Sequence, residues 1–388
     1  MALSAKRLTQ MTKIAIVAGE ASGDMLGAHL ISALKKQRKN LSFFGIAGPK
    51  MMSEGVQTLY PMERLSVRGY FEVIKHLHGL LKLRKALLAQ ILIEKPDIFI
   101  GVDAPDFNFW LERKLKKYGI PTIHYVSPSI WAWRGGRIHK IKRAVTHMLA
   151  LFPFEPALYE KVNLPVTYVG HPLADELALR PNKRAARGLL KLRQDELVIA
   201  MLPGSRQSEV QQHAEFFVQT AELMTEHHPS AKFIVPLITR ETRDIFDRAL
   251  AKSSNHELEM KLLFSHAHDA MEAADFVVVA SGTATLEAAL LKKPMIITYR
   301  MSTISWWLLK AMRYIQYVGL PNILANKYIV PELLQKDATP EKLNETMIAM
   351  LKDKKRLKEI KETFTDIHRT LKQNSAKKAA EVVISYLP

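Results

Sequence analysis

Asp103 ends an apolar run, Asp97-Ile98-Phe99-Ile100-Gly101-Val102, and opens the segment Asp103-Ala104-Pro105-Asp106-Phe107-Asn108. The run reads as a buried strand. In open α/β sheets ligands sit outside the carboxyl ends of the strands, so a carboxylate at such a tip is placed to take a proton from a substrate hydroxyl. A structural role for Asp103 stays open beside that one. Asp106 reads as a cap for the following helix. Glu20 and Asp24 lie in a second loop of this kind, Gly19-Glu20-Ala21-Ser22-Gly23-Asp24, after the apolar run Ile14–Ala18. Either acid can serve simply as a helix N-terminal carboxylate, and for Asp24 that is the preferred reading.

The complementary chemistry, anion binding, belongs to small-residue turns. Val277–Ala280 is a β-branched run, Ser281-Gly282-Thr283 a tight turn, and Thr285–Leu291 a helix former stopped by Lys292-Lys293-Pro294. Strand, turn and helix in that order aim backbone N–H groups and a positive dipole end at an anion, typically a phosphate. Glu287 then sits where a carboxylate can accept from ribose hydroxyls. A plain Ser or Thr helix cap explains the same turn without a ligand. Val198–Leu202 leads likewise into Pro203-Gly204-Ser205-Arg206. Gly204 and Ser205 permit close backbone approach, and Arg206 offers a bidentate fork for phosphate. Trp131 and Trp133, beside Arg134 and Arg137, read either as the floor of a sugar or acyl site or as core. Trp306 and Trp307, among aliphatics and cations, read as a membrane-interface helix or one packed on its domain. Leu65 to Ile74 mixes large apolar residues with isolated cations. Core packing is its first reading and a lipid-facing surface its second.

These residues need a scaffold that presents strand tips. Strand runs alternate with helical stretches in both halves, so each half is expected to be a parallel sheet with helices on both faces. At 388 residues the chain is long for one core. The expected division is 1–175, then 176–345, with 346–388 as C-terminal helices that pack back on the first domain or on a partner chain. Gly170-His171-Pro172-Leu173 reads as the crossing. With no cysteine, disulfides and thiolate chemistry are excluded. The net charge of +18 calls for a polyanionic neighbour, whether nucleic acid, an anionic membrane surface or a phosphorylated substrate. G-x-G-x-x-G is absent, which argues against a nicotinamide cofactor. No signal peptide is read at the start, and no apolar run approaches the ~20 residues that span a bilayer.

Taken in order, several stretches resemble one known family. They are A-G-E-A-S-G-D (18–24), G-I-A-G-P-K-M (45–51), G-V-D-A-P-D-F-N (101–108), H-Y-V-S-P-S-I-W-A-W-R (124–134), L-P-G-S-R (202–206), A-S-G-T-A-T-L-E (280–287) and L-P-N (320–322). The chain resembles lipid-A-disaccharide synthases, and the fourth stretch is the most specific. The resemblance implies a GT-B architecture, α/β with two Rossmann-like parallel-sheet domains facing across a cleft. It implies inverting transfer of 2,3-diacylglucosamine from its UDP derivative to the 6-hydroxyl of 2,3-diacylglucosamine 1-phosphate (lipid X), releasing UDP. It makes Asp103 the base and the N-terminal domain the acceptor side, with Glu20, Ser22 and Gly23. It places Gly204, Ser205, Arg206, Ser281, Gly282, Thr283, Glu287 and Asn322 at the UDP, with Arg206 and Asn322 needed near the diphosphate. No metal and no other cofactor are implied; the sequence shows no Asp-x-Asp pair. The implied setting is cytoplasmic, peripheral on the inner membrane, as monomer or homodimer. Arg68 and Tyr70 are more polar than the family pattern at the Leu65 segment. Two competitors remain: another GT-B enzyme, either a UDP-sugar epimerase or the peptidoglycan N-acetylglucosaminyltransferase, and a non-catalytic nucleic-acid-binding protein.

Overall fold

Ile14, Ile16 and Val17 expose no surface at all. A strand apolar on both faces needs helices above and below it, the condition met by parallel sheets, and each such side chain contributes about 1.5–3 kcal/mol on burial. The structure, a computed structural model, describes residues 11–65, 70–132, 135–255, 257–280, 282–300 and 316–388, with backbone alone for 70–77. Ser281, Trp133, Arg134, Trp306, Trp307, Arg68 and most of the Leu65–Ile74 segment therefore lie outside the described residues or their described side chains.

The chain divides into two units, Met1–Asp175 with Leu371–Pro388, and Glu176–Thr370. Among the described residues the first unit holds strands β1 (Thr12–Ala18), β2 (Leu41–Ala47), β3 (Val56–Pro61), β4 (Ile98–Val102), β5 (Thr122–Tyr125), β6 (His147–Ala150) and β7 (Val166–Tyr168). They form one parallel sheet in the order β3-β2-β1-β4-β5-β6-β7. The second unit holds β8 (Val198–Leu202), β9 (Lys232–Leu237), β10 (Met260–Phe264), β11 (Phe276–Ala280), β12 (Met295–Tyr299) and β13 (Glu332–Leu334). Their order, β10-β9-β8-β11-β12-β13, repeats the pattern of the first sheet, again all parallel. In each sheet the strand order reverses once, between β1 and β4 and between β8 and β11. Such a reversal leaves a crevice at the carboxyl ends of the two central strands.

The last helix, Ser375–Ser385, packs on the helix Ala21–Gln37 of the first unit, and its Ala379, Ala380 and Val383 join the core around β1. The charged helix Lys354–Leu371 buries Ile360, Phe364, His368 and Leu371 along one face.

Four strands were not read from the sequence. β3 and β10 are edge strands, half exposed along their length, and so lack a continuous apolar run. β13 has only three residues. β12 is apolar at Met295–Ile297 but short, directly after the Lys292-Lys293-Pro294 break. Asp24 stands in the first turn of the helix Ala21–Gln37, as a helix N-terminal acid should, and its role is structural. Its buried carboxylate accepts from the N–H groups of Gly48, Lys50 and Met51, capping the neighbouring helix Pro49–Ser53 and tying the loops after β1 and β2 together.

Candidate active site

In the first unit the loops after β1 and β4 touch. A Cβ on Gly19 would lie 2.8 Å from the Ala104 Cβ, so that position admits only glycine without a shift. Asp103 and Ala104 both sit in the left-handed region, at φ 51° and 45°. That conformation costs an L-residue about 1–2 kcal/mol and persists only where the surroundings enforce it. Here the Asp103 N–H donates to the Tyr125 carbonyl on β5 at 2.8 Å, and the Asn108 side-chain amide donates to the Asp103 carbonyl at 2.8 Å. Asn108 also reaches the Val17 carbonyl on β1 at 3.4 Å. One buried carboxamide thus spans both central strands directly behind the candidate base.

Behind Asn108 the polar strip continues. Glu112, one turn on along the helix Pro105–Lys117, meets His124 of β5 at 2.7 Å, and both side chains are fully buried. Burial pushes the Glu112 carboxyl above its ordinary range, against the pull of His124. Gly101 makes room for the strip: a Cβ there would lie 2.2 Å from Glu112 Oε1.

In front of Asp103 is a cavity of about 460 Å³. Gly19, Glu20, Asp103, Ala104, Pro105, Asp106 and Phe107 line it together with Leu65, Leu80, Leu81 and Arg84. Glu20 and Asp103, picked out separately in the sequence, line the same cavity. Gly23 lies buried behind it, 3.4 Å in ideal Cβ geometry from the Val102 carbonyl, and serves close helix–strand packing. Ser22 is exposed in the first helical turn and does not line the cavity. Asp106 is not the helix cap. Ala104 holds that position with no side-chain cap, and the Asp106 carboxylate pairs with Arg137 instead. Trp131 packs edge-on against Phe154, with ring centroids 5.2 Å apart.

In the second unit the loops after β8 and β11 stand at the corresponding reversal. Gly204 adopts φ 120°, and Ser205 and Arg206 follow it into the helix Gln207–His227. Their N–H groups are already engaged. Glu209 Oε2 accepts from Ser205 N at 3.0 Å and from Arg206 N at 3.2 Å, while Oε1 takes Arg206 Nη1 at 2.8 Å. The expectation that the Gly204-Ser205 backbone is open to phosphate is corrected to this extent: a resident carboxylate occupies those donors. Arg206 keeps the rest of its guanidinium in solvent, its side chain 74% exposed. Glu209 was missed, although its spacing three residues beyond Arg206, at the helix start, is the signal that could have found it.

Around Arg206 stand further groups that the sequence did not single out. His213 Nε2 accepts from the Arg300 N–H at 3.2 Å, and the Arg300 guanidinium lies 4.8 Å over the Phe216 ring. Burial pulls the His213 pKa down. Burial and the neighbouring Glu209 raise the phenol of Tyr299, at the β12 tip.

After β11, Gly282 (φ 143°) and Thr283 are exposed. Thr283 makes no side-chain cap; Thr285 Oγ1 instead donates to the Gly282 carbonyl at 2.7 Å. Glu287 is paired with His268 at 2.8 Å. That bond lifts the imidazole above its ordinary pKa, with the charges of Glu287, Asp269 and Glu176 adding to it and burial opposing. Asn322 stands apart from the expectation that it meets the diphosphate. Its side chain is fully buried and spent inside the unit. Nδ2 donates to Val330 O and Glu332 Oε1, both at 2.9 Å, and Oδ1 accepts from Ile329 N at 2.9 Å and Val330 N at 3.0 Å. Glu332 in turn accepts from Val318 N and Gly319 N, so the pair fixes the entry of the helix Leu320–Ala325.

Residues 14–384 match the family described as lipid-A-disaccharide synthetase. A lipid-A-disaccharide synthase of Methylobacillus flagellatus is 62% identical over 377 residues, covering 97% of this chain and 100% of the relative. The chain belongs to the lipid-A-disaccharide synthetase family. Membership makes it a glycosyltransferase and sets aside the two competing readings of its sequence. Among solved structures, a UDP-GlcNAc 2-epimerase from Neisseria meningitidis bound to UDP-GlcNAc is similar with a TM-score of 0.65 at 14% identity, covering 96% of this chain and 100% of the other. MurG of Acinetobacter baumannii is similar with a TM-score of 0.59 at 14% identity, covering 96% and 99%. At that identity the likeness is one of fold alone, the GT-B arrangement of two parallel-sheet α/β units that this family member shares.

Proposed function

We propose that this chain transfers a 2,3-diacylglucosamine unit from UDP-2,3-diacylglucosamine to the 6-hydroxyl of 2,3-diacylglucosamine 1-phosphate, with inversion. The observation that carries this reading is the repeated topology. Two sheets of the same strand order each hold chemistry-bearing residues at the reversal point, a carboxylate pair at the first and a guanidinium at the second.

In this reading Asp103 takes the proton as the acceptor hydroxyl attacks the anomeric carbon of the donor. The bond from that carbon to the diphosphate oxygen breaks, and the electron pair leaves with UDP. General-base help of this kind contributes about 10²–10⁴-fold. Arg206 receives the charge that develops on the departing diphosphate, in the role a metal ion plays elsewhere. Ser281, Gly282 and Thr283 supply the turn against the nucleotide, and Glu287 the contact to its ribose. Asn322 acts indirectly, by fixing the loop ahead of its helix. Glu20 lines the same acceptor cavity as Asp103.

Leu65, Leu80, Leu81 and Phe107 give the acceptor cavity apolar lining suited to an acylated sugar. Among the described residues no helix is long and apolar enough to cross a membrane. With a net charge of +18, peripheral contact with an anionic leaflet is the setting proposed. The test is release of UDP from UDP-2,3-diacylglucosamine with and without the acceptor. Release that depends on the acceptor and yields a disaccharide 1-phosphate supports the proposal; equal release without acceptor refutes transfer.

A further inference from the structure

The acceptor cavity contains a cation that the proposed transfer does not use. We propose that Arg84 recognises a phosphate monoester on the acceptor sugar, so that phosphorylated acceptors are selected over neutral ones. This inference rests on the transfer proposed above and adds a residue that sets its acceptor specificity.

Arg84 lies on the helix Tyr70–Glu94, on the same face as Leu80 and Leu81, four and three residues earlier. Among the described residues lining the cavity it is the one basic side chain, in the same lining as Glu20, Asp103 and Asp106. It forms no ion pair among the described residues. The Asp106 carboxylate is taken by Arg137. What Arg84 receives from Asp106 is only the backbone carbonyl, at 3.4 Å from Nη1. Its Nε is buried without a partner. The guanidinium is held in place by stacking 4.4 Å over the Trp110 ring, and Lys114 approaches that ring at 5.6 Å, adding positive charge nearby. Burial lowers the Arg84 pKa, the mark of a cation drawn partly out of water without a counterion.

A cation so held costs free energy unless an anion completes it. The planar fork of Arg matches the oxygens of a phosphate better than any neutral group. The charges of the lining also sort the two ends of one sugar. A phosphate is repelled by Glu20 and Asp103 and drawn to Arg84. The hydroxyl that must lose its proton is thereby left at Asp103, and the leucines of the lining are free for acyl chains. The phosphate belongs to the acceptor itself in this account, rather than to a lipid headgroup or to free phosphate.

The test compares 2,3-diacylglucosamine 1-phosphate with its dephosphorylated form as acceptors, in the intact protein and in Arg84→Met and Arg84→Lys. The unaltered enzyme should prefer the phosphorylated acceptor by about 10–100-fold in kcat/KM, the range of a charge-assisted bidentate contact. Arg84→Met should bring that ratio close to one, mainly through acceptor KM, with UDP affinity retained. Arg84→Lys, which keeps the charge and loses the fork, should fall between. Inorganic phosphate should compete with the acceptor in the unaltered enzyme and lose that effect in Arg84→Met. A preserved preference in both variants overturns the inference, as does an equal slowing on both acceptors, the pattern of a purely structural residue. If Arg84→Met does not fold, the ratio in Arg84→Lys decides. Failure of the unaltered enzyme on both acceptors would instead refute the transfer itself.

Discussion

Removing the charge of Glu209 while keeping its shape should tighten UDP binding. The Glu209 carboxylate accepts from Ser205 N, Arg206 N and Arg206 Nη1 at 3.0, 3.2 and 2.8 Å, so two of its bonds hold the loop and one occupies the guanidinium. In Glu209→Gln the amide oxygen still serves the loop N–H groups, and the ion pair with Arg206 is gone. Arg206 is largely exposed, so the pair is worth only about 0.2–1 kcal/mol. The carboxylate also repels an incoming diphosphate. At a separation of about 6 Å in water that repulsion is about 0.7 kcal/mol for one unit charge. Together the two effects favour the variant by about 0.9–1.7 kcal/mol, roughly a 5–18-fold lower UDP dissociation constant. Glu209→Ala should do the opposite. It strips the acceptor from two N–H groups at a helix start, which costs about 1 kcal/mol in its own right, and releases a loop whose Gly204 is held at φ 120°. Calorimetric titration of both variants with UDP, at low and at high salt, measures the difference. The advantage of the Gln variant should shrink as salt screens the charges. If Gln weakens UDP binding as much as Ala does, the carboxylate is a required part of the site and the reasoning fails.

Other consequences follow from the same contacts. Gly19→Ala would set a Cβ 2.8 Å from the Ala104 Cβ and push the β4 tip; an overpacking cost of about 1–3 kcal/mol is expected, with kcat falling and UDP affinity kept, as steady-state kinetics with calorimetry would show. Glu155 accepts from Leu151 N and Phe152 N, yet burial pushes its pKa from 4.5 up to about 7. The native state then holds a proton that the unfolded chain has lost between those values. Stability should fall as pH rises through that window and level off above it. Glu155→Gln should remove that slope, read as the difference in denaturant midpoints between about pH 5 and about pH 8. For His268 the sign follows the imidazole case. Its pKa is raised above 6.5 by the bond to Glu287, so its contribution is full below 6.5 and lost as pH rises through the folded value. His268→Gln should flatten that loss, and donor KM in the unaltered enzyme should climb over the same interval.

The central strands and their loops were legible because a parallel strand buried on both faces leaves a continuous apolar run, and its tip is the next residue. Asp103 and Arg206 were reached that way, at the ends of β4 and β8. Edge strands β3 and β10 were not, since half-exposed strands keep too few apolar residues to mark them. Glu20 and Asp103 line one cavity only because β1 and β4 are neighbours, and adjacency of strands far apart in sequence is a property of topology. Arg84 was invisible for the same reason: on a helix sequence it is one cation among many, and only the packing sets it over Trp110 without a carboxylate. Asn322 is a polar residue whose side-chain bonding capacity the fold consumes entirely, which its type alone does not reveal.

The account stands on a division of labour between the two units, a base on the first and a diphosphate site on the second. The most direct measurement is transfer rate alongside UDP affinity in Asp103→Ala, with Arg206→Ala beside it. Loss of general-base help should cut transfer by about 10²–10⁴-fold in Asp103→Ala while UDP binds almost as before, and Arg206→Ala should weaken both. Transfer that survives in Asp103→Ala, or UDP affinity that collapses with it, would contradict the account.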